Sequence, residues 1–451
     1  MNESRLKPIE KIGYGLGDFG SNVVFQTILI LLPSFYTDVF GLAPAAMGTM
    51  FLAVRLLDTI TDPIMGILAD NTNTRWGKFR PYLLWFAIPF SVVFVLTFIT
   101  PGFSEGSKLT YAYCTYALLM VLYTVVNIPY CALGGVITSD SQERVSANSY
   151  RFFIATSAGV LISFFAPGMV NHFGNGNQQA GYPYAMAVFG FLAVLTFFGC
   201  FSLTKERVKQ VAKTKGSFAL DFKTLLKNDQ WLVVAALFLV LLIPIVLRGA
   251  SQVYYVKWFI GKPELIAAFL TTGTFCQMIG AGFASSLTSK LGKVPSYIAV
   301  QAIIVTGSIA LYFASSSNIW IIFILFGLSN FFVQMGAPIL FSMAADTVEY
   351  GELKSGRRVT GLVFSGALFA LKLGVAIGGW LIGLVLAYYG YDGQADSQST
   401  EAIRGIVLSL TLFPAIGHFF LIPIVCLYKL NQPRCDEIRK ELDSKSSDSK
   451  I

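Results

Sequence analysis

The chain has 451 residues, of which 55% are hydrophobic and only 13% charged. Soluble globular proteins carry about 25% charged residues, so half the usual charge is missing and a secreted, cytosolic or nucleic-acid-binding globular protein is excluded. The net charge of +8 is therefore no nucleic-acid footprint, and its distribution matters more than its sum.

Twelve apolar runs follow in chain order: Ile12–Phe40, Ala45–Ala69, Tyr82–Thr100, Leu109–Gly135, Ser149–Val170, Tyr182–Leu203, Trp231–Phe259, Leu265–Thr288, Ser296–Ala314, Ile319–Ala344, Gly361–Tyr388 and Ile403–Tyr428. Each approaches or exceeds the roughly 20 residues that a spanning helix needs. Lipid offers no partner to unpaired backbone groups, so helices are the expected solution. The alternation of a membrane β-barrel is absent. The predicted fold class is an all-α membrane protein of twelve transmembrane helices in two six-helix halves.

The loops set the orientation. Arg5, Lys7 and Lys11 precede the first run; Arg75, Lys78 and Arg80 follow the second; Lys205, Arg207, Lys209, Lys213, Lys215, Lys223 and Lys227 follow the sixth; Lys354, Arg357 and Arg358 follow the tenth. The alternate loops carry few basic residues, so the positive-inside rule puts both termini in the cytoplasm. A bacterial inner membrane is the expected location. The long basic loop divides the runs six and six. The expected organisation is an N-terminal half (1–203), a cytoplasmic linker (204–230), a C-terminal half (231–430) and a flexible tail (431–451). A short internal echo agrees with duplication: Asp140-Ser-Gln-Glu143 has an arginine, Arg151, eleven residues after its aspartate, and Asp346-Thr-Val-Glu349 has Arg357 at the same distance. Parallel six-helix halves are a transporter architecture with a site at their interface.

Charges inside the runs stand out, because each at bilayer depth costs about 2.5–3.5 kcal/mol on insertion scales. Asp18 lies in the first run, Arg55, Asp58 and Asp62 in the second, Arg248 in the seventh and Lys372 in the eleventh; Arg151 opens the fifth. Asp58 and Asp62 are four apart and project from one helix face. Two adjacent carboxylates repel unless a cation lies between them. Thr61 adds a hydroxyl, and hard oxygen ligands suit a hard cation. Na⁺ or H⁺ is the expected coupling ion, and no other cofactor or metal is expected. Arg55, a turn before Asp58, balances charge. Arg248 and Lys372 either balance the acids or grip an acidic substrate. Near the basic loops, Arg75, Asp140, Glu143, Asp346, Glu349, Glu352, Arg357 and Arg358 are candidates for a cytoplasmic gate, effective only as a network because single surface pairs are weak.

These motifs, in order, resemble the glycoside–pentoside–hexuronide:cation symporters of the major facilitator superfamily, which include the melibiose carrier. The resemblance runs from about Ile9 to Tyr428 and rests on Gly17-Asp18, Arg55-x-x-Asp58-x-x-x-Asp62-Pro-Ile-Met-Gly66, Arg75-Trp-Gly-Lys-Phe-Arg-Pro81, Asn127-Ile-Pro-Tyr130, Arg151-Phe-Phe153, Asp346-Thr-Val-Glu-Tyr-Gly-Glu352 and Lys372. It implies that Asp58 and Asp62 hold the cation, with Thr124 nearby and Thr61 where the melibiose carrier has asparagine. It implies that Asp18 and Arg151 bind sugar, that Tyr123 is an aromatic beside the site, and that Lys372 belongs to the cation and sugar region. Asn127 replaces a second sugar-binding aspartate, and Cys131 a tryptophan that stacks on the sugar. A galactoside site of that type is therefore in doubt. Asn127 and Arg248 remain as substrate candidates, and neutral pentosides of xyloside type rank equal with hexuronides. The expected function is symport of such a glycoside with the cation by alternating access. The protein is expected to be no enzyme, to need no nucleic acid, and to work as a monomer in the bilayer. The alternative is a cation-coupled lysolipid transporter or flippase of the same fold.

Overall fold

The computed structural model describes residues 6–138, 140–208, 223–357 and 359–448. Among them the regular structure is helical, apart from an isolated bridge between Thr74 and Gly77. The elements are α1 (Pro8–Ile30), α2 (Leu32–Ser34), α3 (Pro44–Asn71), α4 (Arg80–Thr97), α5 (Glu105–Leu133), α6 (Ser141–Gly174), α7 (Gln178–Leu203), α8 (Asp229–Tyr254), α9 (Ile266–Leu291), α10 (Lys293–Tyr312), α11 (Ile319–Ser355), α12 (Thr360–Tyr388), α13 (Thr400–Leu410), α14 (Leu412–Cys426) and α15 (Gln432–Asp448).

Local chemistry sets the ends. α1, α3 and α4 have proline in the first turn, where its missing N–H is no loss. The Glu10 carboxylate accepts from the Lys7 amide at 2.9 Å. Asn177 caps α7 by accepting from the amides of Gln179 and Ala180. α11 stops at Gly356, whose φ of +68° is the left-handed terminus that glycine favours.

Among the described residues ten helices are long and apolar enough to cross a membrane, and eleven if the bent pair Pro8–Ile30 and Leu32–Val39 is one span. The sequence expectation was twelve. The difference falls on α3, which has 28 residues but carries Arg55, Asp58 and Asp62 in its interior. Large apolar side chains face outward, as lipid-facing surfaces require; Trp320 and Tyr388 are 83% and 85% exposed, near span ends where aromatic residues anchor at the interface.

One compact unit holds Met1–Ala212 with Gln252–Thr274 and Ile382–Ile403. In it α1 packs on α6 and α7. A Cβ at Gly17 would collide with the Tyr130 ring and the Cys200 sulfur, so glycine is needed for this approach. The other unit holds Lys213–Ser251, Phe275–Leu381 and Arg404–Ile451. Its core joins Phe238, Leu241, Tyr297, Leu340, Met343 and Leu421.

Two features depart from expectation. The tail predicted to be flexible is a helix, α15, with Cys435 and Ile438 buried in the second unit's core. Its apolar residues are few, but they fall at helical spacing. The second concerns the repeat. Asp140 lies just before α6, whereas Asp346 is buried within α11. Gly134-Gly135 follows the end of α5, while α11 runs on, so the two D-x-x-E copies occupy different settings. A better structural echo lies elsewhere. The run from Pro8 ends in a π-helical turn, Phe35–Val39, and α8 ends in another, Tyr255–Ile260. Residues 8–39 and 229–260 have the same length.

Candidate functional site

In the first unit, α1, α3, α5 and α6 bring the called carboxylates into two adjoining polar groups. The first is centred on Asp18, which is 7% exposed. Its Oδ2 accepts from Arg151 Nε at 2.6 Å, and its Oδ1 from Asn22 Nδ2 at 3.1 Å. Asn22, one turn beyond Asp18, was missed from sequence; the four-residue spacing was the signal. The Arg151 guanidinium lies 5.0 Å from the centre of the Tyr130 ring and 5.9 Å from that of Tyr14. These rings stack at 5.1 Å, and the Tyr130 hydroxyl donates to the Tyr14 carbonyl at 2.8 Å. Arg151 is thus fixed by a carboxylate on one side and π faces on the other. Cys131 lies 3.8 Å from Arg151 Nη2, and its sulfur contacts Asn127 Oδ1 at 3.9 Å. Asn127, half-buried, is thus linked to Arg151 through Cys131.

The second group lies on α3. Asp58 is 1% exposed, and Arg55 Nη1 is 3.6 Å from its Oδ2. That distance is an ion pair without a tight hydrogen bond. The Arg55 guanidinium lies 5.2 Å from the Phe25 ring centre. Half-buried Asp62 accepts from the Thr124 hydroxyl at 3.0 Å, which joins α3 to α5. The Thr61 hydroxyl donates to the Asp58 carbonyl at 3.3 Å, so its oxygen keeps lone pairs for a cation. Tyr123 stacks on Phe25 at 5.6 Å. Pro63 and Pro129 stand inside α3 and α5, where each removes a ladder hydrogen bond beside the polar groups. Asp58, Thr61, Asp62 and Thr124 carry hard oxygen donors of the kind that a monovalent cation or a proton takes, and the Asp62–Thr124 hydrogen bond joins two of them.

Arg248 and Lys372 lie in the second unit. Arg248 is 3% exposed; its Nε donates to the Leu410 carbonyl at 3.2 Å and its Nη2 to the Ser308 hydroxyl. Leu410 ends α13, and the carbonyl is freed by the break at Thr411. Arg248 thus satisfies an orphaned carbonyl inside the bundle. Lys372 is half-buried on α12.

Several gate candidates have partners within their own unit. Arg75 stacks on Trp76 at 4.4 Å. Glu143 pairs with Lys11 at 2.9 Å, and the Asp140 carboxylate accepts from the Glu143 amide at 3.2 Å. Asp346 pairs with Lys293 and accepts from the Tyr428 hydroxyl at 2.9 Å. Burial first, and then the Asp346 carboxylate, raises the Tyr428 hydroxyl far above the ordinary phenol range. Glu349, Glu352 and Arg357 lie near the end of α11; Arg358 is outside the described residues. Glu206, which the sequence did not single out, accepts from the amides of Lys78, Phe79 and Arg80 at 2.8–3.0 Å. It holds the loop that Arg75 begins.

The family model described as MFS/sugar transport protein matches residues 13–432. The chain is 42% identical over 433 residues to the putative glycoside/cation symporter YagG of Escherichia coli (strain K12), covering 96% of this chain and 94% of that protein. It is 33% identical over 430 residues to the isoprimeverose transporter of Lactiplantibacillus pentosus, covering 94% of this chain and 89% of the other. Among solved structures, a bacterial homolog of the human lysosomal transporter Spinster, in an inward-facing and unoccupied conformation, aligns with a TM-score of 0.68. That likeness spans 94% of this chain and 96% of the other at 13% identity, and concerns the fold.

Proposed function

The chain belongs to the family of MFS/sugar transport proteins, and from that premise we propose that it is a secondary active symporter which moves a neutral glycoside of xyloside type together with Na⁺ or H⁺. The observation that carries this is the junction of α3 and α5. Asp62 is already oriented by Thr124, and Asp58 lies one turn away on the same helix. Both termini face the cytoplasm in this reading, which the basic loops support.

A cation between Asp58 and Asp62 relieves their repulsion, with Thr61 and Thr124 supplying neutral oxygens. The glycoside meets Asp18, Asn127, Arg151 and Tyr123. Cys131 links Asn127 to Arg151, and hydroxyls are read in this scheme by a carboxylate on α1 and an amide on α5. The cation raises sugar affinity, and by linkage the sugar raises cation affinity equally. The two halves then expose the site alternately.

The choice of a neutral sugar over a uronide rests on Arg248. Its guanidinium is engaged with Ser308 and the Leu410 carbonyl, which supports a structural role. The isoprimeverose transporter among the relatives supports the same choice. A lysolipid substrate is the weaker alternative, because the carboxylate, amide and hydroxyl groups here favour a polar ligand.

The test is uptake of a radiolabelled xyloside disaccharide into proteoliposomes, with sodium and proton gradients imposed separately. One gradient is expected to drive accumulation, and excess glucuronide to leave it unchanged. Competition by the glucuronide would replace the neutral substrate with an anionic one. Accumulation that ignores both gradients would remove symport altogether.

A further inference from the structure

We propose that Asp38 and Lys257 form a latch that closes the transport path at the helix ends remote from the N-terminus, and that this ion pair must part for the site to open on that side. The proposal rests on the alternating-access reading above, but its evidence comes from another part of the first unit.

Three segments far apart in sequence converge there. Asp38 lies in the π turn that ends the first span, and Lys257 in the π turn that follows α8. Lys257 Nζ is 2.5 Å from Asp38 Oδ2. The third segment lies between α12 and α13: the Tyr391 hydroxyl donates to Asp38 Oδ1 at 2.6 Å and accepts from Trp258 Nε1 at 3.1 Å. Gln394 Nε2 donates to the carbonyls of Thr37 and Asp38, each at 3.2 Å. Thr37 and Tyr254 share a hydrogen bond of 2.8 Å. A Cβ on Gly393 would strike the Thr37 carbonyl, so the segment is pressed against the turn. Burial, and then the Asp38 carboxylate, holds the Tyr391 hydroxyl far above the ordinary phenol range.

This arrangement differs from packing glue in two ways. First, a buried ion pair is a poor source of net stability, and its best-attested use is to specify one arrangement over another. Second, the pair is not sealed. The Asp38 side chain is 7% exposed but that of Lys257 is 30%. A cavity of about 190 Å³ lies beside them, lined in part by Ser34, Asp38, Asn171, Gln178, Tyr182 and Lys257. Water entering it can hydrate both charges as they separate, which lowers the cost of opening. The participating residues come from the 8–40 region on one side and from 254–258 and 391–394 on the other. These are the regions that must part if six-helix halves rock. π turns recur at functional positions in helices, and here two of them meet through opposite charges.

The experiment reads access directly. Ser34, 3% exposed, lines the cavity and is replaced by cysteine as the reporter. A membrane-impermeant maleimide is applied to the full chain in proteoliposomes, and labelling at each cysteine is read by peptide mapping. Lys257→Ala and Asp38→Asn are each expected to raise the labelling rate at position 34 by roughly tenfold or more, the scale of an ordinary conformational coupling. Lys257→Arg is expected to stay near the parent. Native Cys435, 4% exposed in the second unit, reports general loosening. Parent-like labelling in both Lys257→Ala and Asp38→Asn overturns the latch, and so does a rise at Cys435 that matches the rise at position 34. Labelling needs no sugar. A protein that transports xyloside without the labelling change therefore loses the latch alone, and one that shows the change but transports no glycoside loses only the substrate assignment.

Discussion

The two units bury charge in opposite ways. In the first, carboxylates are buried beside side-chain partners: Asp62 accepts from the Thr124 hydroxyl, and Asp58 faces Arg55 at 3.6 Å. In the second, Arg248 donates to a backbone carbonyl and a serine inside the bundle. Both kinds of charge look alike in sequence, as a polar letter in an apolar run. Their neighbours separate them. A charge that completes an orphaned carbonyl serves the fold, whereas carboxylates aligned on one face and tied to a hydroxyl are the group that our proposal assigns to the cation.

Mutation sharpens that contrast. Asp58→Asn or Asp62→Asn is expected to abolish cation-driven accumulation, measured as uptake under an imposed gradient; normal accumulation in either variant would sink the cation assignment. Arg151→Ala leaves Asp18 buried without its guanidinium. Glycoside binding, followed by calorimetry, is expected to weaken roughly a hundredfold. Arg248→Met should act on a different quantity. It strands the Leu410 carbonyl at a cost of about 1–3 kcal/mol, seen as a lower Tm, while the ratio of xyloside to uronide uptake stays unchanged. A change in that ratio would move Arg248 into the substrate site. The smallest effect belongs to Thr124→Val, which removes one hydrogen bond of about 1 kcal/mol. Cation affinity is expected to fall about fivefold with maximal uptake preserved.

Much of the fold was legible because lipid imposes a one-dimensional rule: a spanning segment declares itself by length and apolarity. The in-span charges were legible for the same reason. Asp18, Asp58, Asp62 and Arg151 stood out by their cost, and Thr124, Tyr123 and Asn127 by resemblance. What stayed hidden depends on contacts that no local pattern encodes. Asp38 and Lys257 are 219 residues apart. Each lies near the end of its apolar run, with nothing nearby to mark the other as its partner. The partners of Arg248 were hidden because they lie on α10 and at the end of α13. The tail misled for another reason. Its polar composition masked a sparse apolar stripe at Cys435, Ile438 and Leu442, which is enough to seat a helix on a ready-made core.

The paired π turns carry a geometric consequence. Each widened turn admits one more residue than a regular turn, and one residue advances a helix by about 100°. The side chains beyond the insertion are therefore out of phase with those before it. Within the first span, Asp18 is aimed by the phase of α1, and Asp38 by the phase of the turn that follows. The first span, bent between α1 and α2, thus presents two differently oriented faces. The aim of its far end can change without rotating Asp18.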